Sequence, residues 1–278
     1  LDAFKRWYAQ AGTPRLQARG VHDATARTWT LTLTQHGAPG QQAFVIPVAL
    51  GLLDRQGRAL PLHLQDEATA RGTDALLVLT DTEQQFVFTG IDAPPVPSLL
   101  RQFSAPVVLD DGLADADLLV LLAHDRDAFN RWDAGQRLAL GRLLAALRQD
   151  GPALLDGAFV HAMRDLLRAP GLDPAFKELV LTLPSESQVA EQLAAADPQR
   201  IHTVREQMLD EMAERLHDDW VWAWEQHAVR EGYEPGGQQS GRRALRNLAL
   251  AMLCRHAVRH QQDVWPGRAY QLVKDATD

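Results

Sequence analysis

Thr28-Trp29-Thr30-Leu31-Thr32-Leu33-Thr34 sets a bulky apolar side chain at every second position and a threonine between each pair. Successive side chains on a strand point to opposite faces, so this stretch predicts a strand with one buried face. Working outward, further strands are expected at 15–22, 44–50, 59–64, 75–80 and 85–89. Turn residues separate them, in His36-Gly37-Ala38-Pro39-Gly40, Asp54-Arg55-Gln56-Gly57 and Arg71-Gly72-Thr73-Asp74. Short strands at this spacing predict a small antiparallel sandwich.

From about residue 113 the period becomes helical. Leu138, Leu140, Leu143, Leu144 and Leu147 fall on one stripe. Asp173-Pro174 and Asp197-Pro198 each offer a cap acceptor followed by a proline suited to the first helical position. Ser185 and Gln188 have capping-box spacing, and Asp133 is the expected cap of the Leu138 helix. Seven or eight helices are expected between 113 and 278, stacked as antiparallel neighbours through short connections. Between the two halves lies Ile91-Asp92-Ala93-Pro94-Pro95-Val96-Pro97. Its prolines suit neither a helix nor a central strand, and a stiff domain boundary is expected there.

The chain has 278 residues, 46% of them hydrophobic and 23% charged, enough for one large core or two ordinary ones. Its net charge is −8, and the acidic excess lies almost wholly beyond residue 100. That disfavours nucleic acid, whose phosphates call for basic patches. No apolar run approaches the roughly 18 residues of a membrane span. A single cysteine, Cys254, permits no internal disulfide, and a cytoplasmic location is the expectation. The sequence opens Leu1-Asp2-Ala3-Phe4 without an initiator methionine, so a longer polypeptide is expected around it.

The search for chemistry yields no expected catalytic, cofactor-binding or metal-ligating residue. His256 and His260 have the i, i+4 spacing of a zinc-peptidase helix, but Ala257 stands where the water-activating glutamate belongs. No downstream helix offers a third glutamate ligand, so packing histidines are expected. Asp110, Asp111, Asp115 and Asp117 lack the fixed glycine and terminal glutamate of a calcium loop, and acids favour a helix start in any case. Gly236-Gly237-Gln238-Gln239-Ser240-Gly241 follows a helix rather than a strand, which argues for an inter-helix loop and against a phosphate cradle. Ser240 lacks the frame of a nucleophile elbow. Trp220, Trp222 and Trp224 point in different directions on a helix and read as core. Cys254, among Leu250, Met252 and Leu253, reads as a buried small hydrophobe.

Five strings in order resemble bacterial aminopeptidase N, the zinc-dependent alanyl aminopeptidase family. They are Phe4-Lys-Arg-Trp-Tyr-Ala-Gln-Ala-Gly-Thr-Pro14, Ile46-Pro-Val with Gly51-Leu-Leu-Asp54, Ser98-Leu-Leu-Arg-Gln-Phe-Ser-Ala-Pro-Val107, Phe129-Asn-Arg-Trp-Asp-Ala-Gly-Gln136 and Leu181-Thr-Leu-Pro-Ser-Glu186. The resemblance implies a sheet domain, a thermolysin-like catalytic domain, a small β-sandwich and a helical domain, of which this chain would hold the last two. The fold it implies is a small antiparallel Ig-like β-sandwich followed by an all-α helix-pair stack. The implied limits are 1–12 for the end of the catalytic domain, 13–95 for the sandwich and 96–278 for a helical domain cut short. The family's His-Glu-x-x-His zinc helix and its Gly-Ala-Met-Glu-Asn motif do not occur in the sequence. Zinc therefore belongs to the implied parent enzyme and not to this chain. The implied role is a non-catalytic scaffold and lid over a peptide-cleaving cavity, its partners the parent's own catalytic domain and peptide substrates. The acidic second half would favour positively charged peptide N-termini. The alternative is a stand-alone peptide- or protein-binding scaffold without enzymatic role.

Overall fold

The computed structural model describes residues 4–37, 42–148, 155–229, 232 and 234–276, so the expected turn at 38–40 lies outside the described residues. The chain divides into two compact units, Leu1–Ala134 and Gly135–Asp278.

The first unit opens with a short helix, α1 (Arg6–Ala9), and continues with β1 (Arg15–Asp23), β2 (Thr28–His36), β3 (Ile46–Leu53), β4 (Ala75–Leu79), β5 (Glu83–Thr89), β6 (Val96–Leu99) and β7 (Val108–Asp110). Two sheets form, in the orders β5-β2-β1-β7 and β4-β3-β6. All pairs are antiparallel except β1 with β7. The alternation in β2 does what it predicts: Trp29, Leu31 and Leu33 are at most 3% exposed, and they join Leu16, Ile46, Val48, Leu50 and Phe88 in one core. Burying each such side chain is worth about 1.5–3 kcal/mol.

Two expectations change here. The strand expected at 59–64 reduces to isolated bridges, Leu53 with Ala59 and Leu64 with Phe88. Pro61 in its middle has no N–H to give a ladder, yet Leu62 is fully buried and bonds through Gly72 and Arg71. The boundary expected near 95 falls inside the sandwich, because Val96–Leu99 pairs with β3 and Val108–Asp110 with β1. The prolines exclude a central strand, but β6 is an edge, where Pro97 faces Leu52 and a missing donor is tolerated.

Arg101 ties this unit together. Only 5% exposed, it lies against β3, where a side chain on Gly51 would start 2.2 Å from the guanidinium. Its Nε donates to Ser98 Oγ (2.8 Å) and one amino group to Asp125 Oδ1 (3.0 Å), while the other pairs with Asp74. Asn130 Nδ2 donates to the same Ser98 Oγ (2.7 Å) and to Leu99 O (2.9 Å). Around Arg101 the backbone of Leu100, Gln102 and Phe103 is left-handed, which costs non-glycine residues energy that a fixed contact must offset.

The helices follow from the caps. They are α2 (Asp115–His124), α3 (Ala128–Arg148), α4 (Gly157–Arg168), α5 (Pro174–Leu181), α6 (Glu186–Ala190), α7 (Pro198–Arg215), α8 (His217–Gln226), α9 (Gly237–Arg259) and α10 (Val264–Asp275). α2 and the start of α3 fall in the first unit. Asp173 accepts from Ala175 N (2.8 Å) and Asp197 from Gln199 N (3.0 Å), each with its proline following. Ser185 and Gln188 close a reciprocal box. Asp133 is not the cap of α3. Asp127 Oδ1 accepts from Asn130 N (2.9 Å), and no glycine or proline between them delays the helix, so Asp133 lies inside it.

In the second unit α9 packs against α5, α7, α8 and α10. The expected glycine-rich loop is instead largely the first turn of this helix. Gly241 explains why: a Cβ there would lie 2.9 Å from Ala175 N, so the missing side chain lets α5 and α9 approach closely.

Replacing Arg101 by Met should leave Asp125, whose side chain is fully buried, without its counter-ion. The expected loss is about 3–5 kcal/mol, read as faster native-state hydrogen exchange at β3. Unchanged exchange would remove Arg101 as the tie.

Asp156 caps α4 through Phe159 N (2.8 Å) and pairs with Arg142. Burial pushes its carboxyl up, but the Phe159 amide and the Arg142 guanidinium together hold it below its ordinary 3.8. Its contribution is therefore full above that value and is lost as pH falls through the depressed folded pKa. Asp156→Ala should cost about 0.5–2 kcal/mol. Asp156→Asn should flatten the loss of stability below about pH 4, measured by urea titration across pH; equal acid sensitivity in Asn and wild type would contradict this.

Candidate functional site

The cap at Asp197 and Pro198 launches α7, whose stripe Ile201, Val204, Met208 and Met212 is buried. On α9 the buried residues are Leu245, Ala249, Met252, Leu253 and Ala257. Between these neighbouring helices runs a ladder of charge. Arg255 donates to Glu206 (2.7 Å) and Asp210 (2.9 Å), and Arg259 pairs with Asp210 (2.7 Å). The partner numbers rise together, so α7 and α9 run in the same direction.

The last rung holds the histidines. His260 Nε2 donates to Glu214 Oε2 (2.8 Å), and His256 Nε2 stands 3.6 Å from the same oxygen. His217, at the start of α8, lies face-tilted on His256 with ring centres 4.2 Å apart, and His256 lies 4.3 Å from His260. The His260 hydrogen bond, above all, holds the Glu214 carboxyl below its ordinary range, and the nearby His256 and Arg259 charges add to this. Burial, with His217 beside it, pushes the His256 imidazole down, so it prefers to be neutral. A cleft of about 530 Å³ opens here, lined by Glu214, His217, His256, Arg164, Arg168 and Arg215 among others. Asp219, 5% exposed, holds Arg164 (2.9 Å) and Arg168 (2.7 Å) in place at the cleft.

The structure thus brings His256 and His260 onto one face, as their spacing requires. Sequence reasoning missed Glu214 and His217. The one available signal is the row Glu206, Asp210, Glu214 at intervals of four, matching the basic run Arg255, His256, Arg259, His260.

The other candidates keep structural roles. Asp110 accepts from Arg19 (2.7 Å) and Gln17 (3.3 Å), and Asp117 caps Ala114 N (3.1 Å) while pairing with Arg55. Asp111 accepts from Leu113 N (3.1 Å), and Asp115 starts α2. Ser240 is exposed in the first turn of α9. Trp220 is fully buried and donates to Met212 O (3.1 Å); Trp224 packs edge-on to Trp265 under the Arg246 guanidinium. Trp222 lies under Arg168, 4.8 Å away. Burial pushes the Cys254 thiol up, away from the reactive thiolate.

Comparison with known proteins places both units. Residues 12–112 match the "Domain of unknown function (DUF3458) Ig-like fold", and residues 115–278 match the "Domain of unknown function (DUF3458_C) ARM repeats". The chain is 33% identical over its whole length to Aminopeptidase N of Escherichia coli, of which it covers 32%. It is 36% identical over 91% of its length to Aminopeptidase N of Caulobacter vibrioides, covering 29% of that protein. The chain belongs to the aminopeptidase N family. It corresponds to a C-terminal segment, the Ig-like and ARM-repeat portion, and spans about a third of the length of these relatives. The crystal structure of Legionella pneumophila aminopeptidase A in complex with aspartic acid shares its fold, with a TM-score of 0.80 and 24% identity over 94% of this chain and 30% of that one. The order of sandwich then helices agrees with the expected fold. No described helix is long and apolar enough to cross a membrane.

The aminopeptidase N segment owes the parallel register of α7 and α9 to the ladder at Arg255, whose side chain is 28% exposed. Arg255→Ala should cost only about 1 kcal/mol, and its effect should be non-additive with Asp210→Asn in a double-mutant cycle. Additive losses in denaturant titrations would show that the rungs act independently.

Proposed function

We propose that this chain is the non-catalytic scaffold and lid of a cytoplasmic zinc aminopeptidase that removes N-terminal residues from peptides. The observation that carries this reading is the match across the entire chain to a third of Aminopeptidase N, in a sequence without His-Glu-x-x-His. In a zinc peptidase the metal lowers the pKa of its bound water, and a glutamate beside the first histidine takes the proton. Here the residue after His256 is Ala257, itself fully buried, and no base stands at that position. The chain's part is then to build walls. A sandwich with a packed apolar core and a helix stack with a central α9 are suited to shaping a cavity that a partner domain fills with chemistry. The acidic bias beyond residue 100 supports attraction of protonated peptide N-termini.

The purified chain should leave an alanyl anilide uncleaved with zinc present, while the reading frame that encodes it should contain a His-Glu-x-x-His motif upstream of Leu1. Hydrolysis by pure chain, abolished by a chelator, would overturn the first half of this reading; a frame without that motif would overturn the second.

A further inference from the structure

We propose that Glu214, His256 and His260 form a binding site for a zinc-class divalent cation that clips the end of α7 to the end of α9. This departs from the expectation that the chain holds no metal ligands. That expectation looked for a third ligand downstream of the histidines, whereas the fold delivers Glu214 from upstream. The inference stands on the geometry of the helical unit and does not depend on the reading above.

One donor atom from each residue lies within 4.8 Å of the others, and no other described set of three or more such residues converges in this way. Tetrahedral zinc with ligand distances of about 2.0–2.2 Å sets its donors about 3.3–3.6 Å apart. The spacings of 2.8 Å and 3.6 Å from Glu214 Oε2 to the two imidazoles lie near that value, while the set as a whole spans up to 4.8 Å and must draw together around an ion. Closing the set requires Glu214 and His260 to shift toward the ion, and their side chains are 50% and 44% exposed. His256 is the fixed member. Its side chain is 12% exposed and it is wedged between the rings of His217 and His260.

The donor chemistry selects the ion. Two imidazoles and one carboxylate suit zinc, copper(II) or nickel(II), whereas magnesium and calcium prefer sets of oxygens. Among the nearby cations, Arg164 and Arg168 are paired with Asp219. Arg255 and Arg259 are engaged by Glu206 and Asp210. The cleft beside Glu214 and His256 gives an entry path and leaves the fourth position open. Because Ala257 occupies the place of the catalytic glutamate, the ion would cross-link helices rather than activate water.

The chain, stripped of metal, should bind one zinc ion by calorimetry at pH 7.5 with micromolar affinity, and its melting temperature should rise with zinc but not with magnesium. His260→Ala and Glu214→Gln should each weaken binding tenfold or more, while His202→Ala, an exposed histidine paired with Glu186 elsewhere, should not. Circular dichroism establishes that the variants fold. Should either misfold, cobalt(II) in the wild-type chain decides: intense visible bands of a four-coordinate ion support the site, and the weak spectrum of a hydrated ion overturns it. Absence of stoichiometric zinc binding, or binding in His260→Ala or Glu214→Gln as tight as in the wild-type chain, also overturns it.

Discussion

A buried charge must be partnered or the fold fails, and Arg101 is where the sheet unit meets that requirement. A guanidinium taken from water loses hydration worth several kcal/mol, and only close, well-aligned acceptors restore it. Ser98, Asp74 and Asp125 supply them from three separate stretches of chain. Gly51 supplies the space, and Asn130 fixes Ser98 from behind. The left-handed residues on either side of Arg101 are the local cost of aiming it inward. A single side chain thus decides the course of β6, the turn after it and the end of α2.

The same requirement recurs in the helical unit with other solutions. Asp219 is buried between Arg164 and Arg168. Lys177, 3% exposed, donates to Leu167 O (2.9 Å) and sits 5.9 Å from the Trp222 ring; burial pushes its amine down. The ladder on α9 is gentler, because its groups are half-wet. It costs little desolvation, so its rungs serve register more than stability. That distinction explains why the apolar stripes of α7 and α9 set their contact while the charged edge sets which residues stand opposite.

Much of this was legible in the sequence because period and capping are local. The alternation at 28–34 and the caps at Asp173, Ser185 and Asp197 each depend on a few neighbouring residues, and each appears as read. What escaped depends on distant partners. Pro61 and the prolines before β6 look alike locally, yet one breaks a strand and the others border an edge strand, because only the sheet order says which side lacks a neighbour. Asp127 and Asp133 are equally good caps as residues; which one serves depends on where the preceding chain turns. Gly241 reads as a loop signal until Ala175 is seen against it.

The histidine cluster shows the same limit at the level of a site. The spacing of His256 and His260 is a helix property and was visible. Glu214 lies on another helix, and its approach follows from two helices running in parallel, which no local pattern encodes. The family likeness gives no help, since its own zinc motif occurs nowhere in this chain. An i, i+4 histidine pair therefore carries little information by itself, but its environment does: a carboxylate within hydrogen-bond reach and a third imidazole stacked behind. Ordinary packing explains either of these. Together they bring three donor atoms within 4.8 Å of one another. Divalent metal would then complete the last rung of a ladder that ions of opposite sign already hold along the rest of the helix pair.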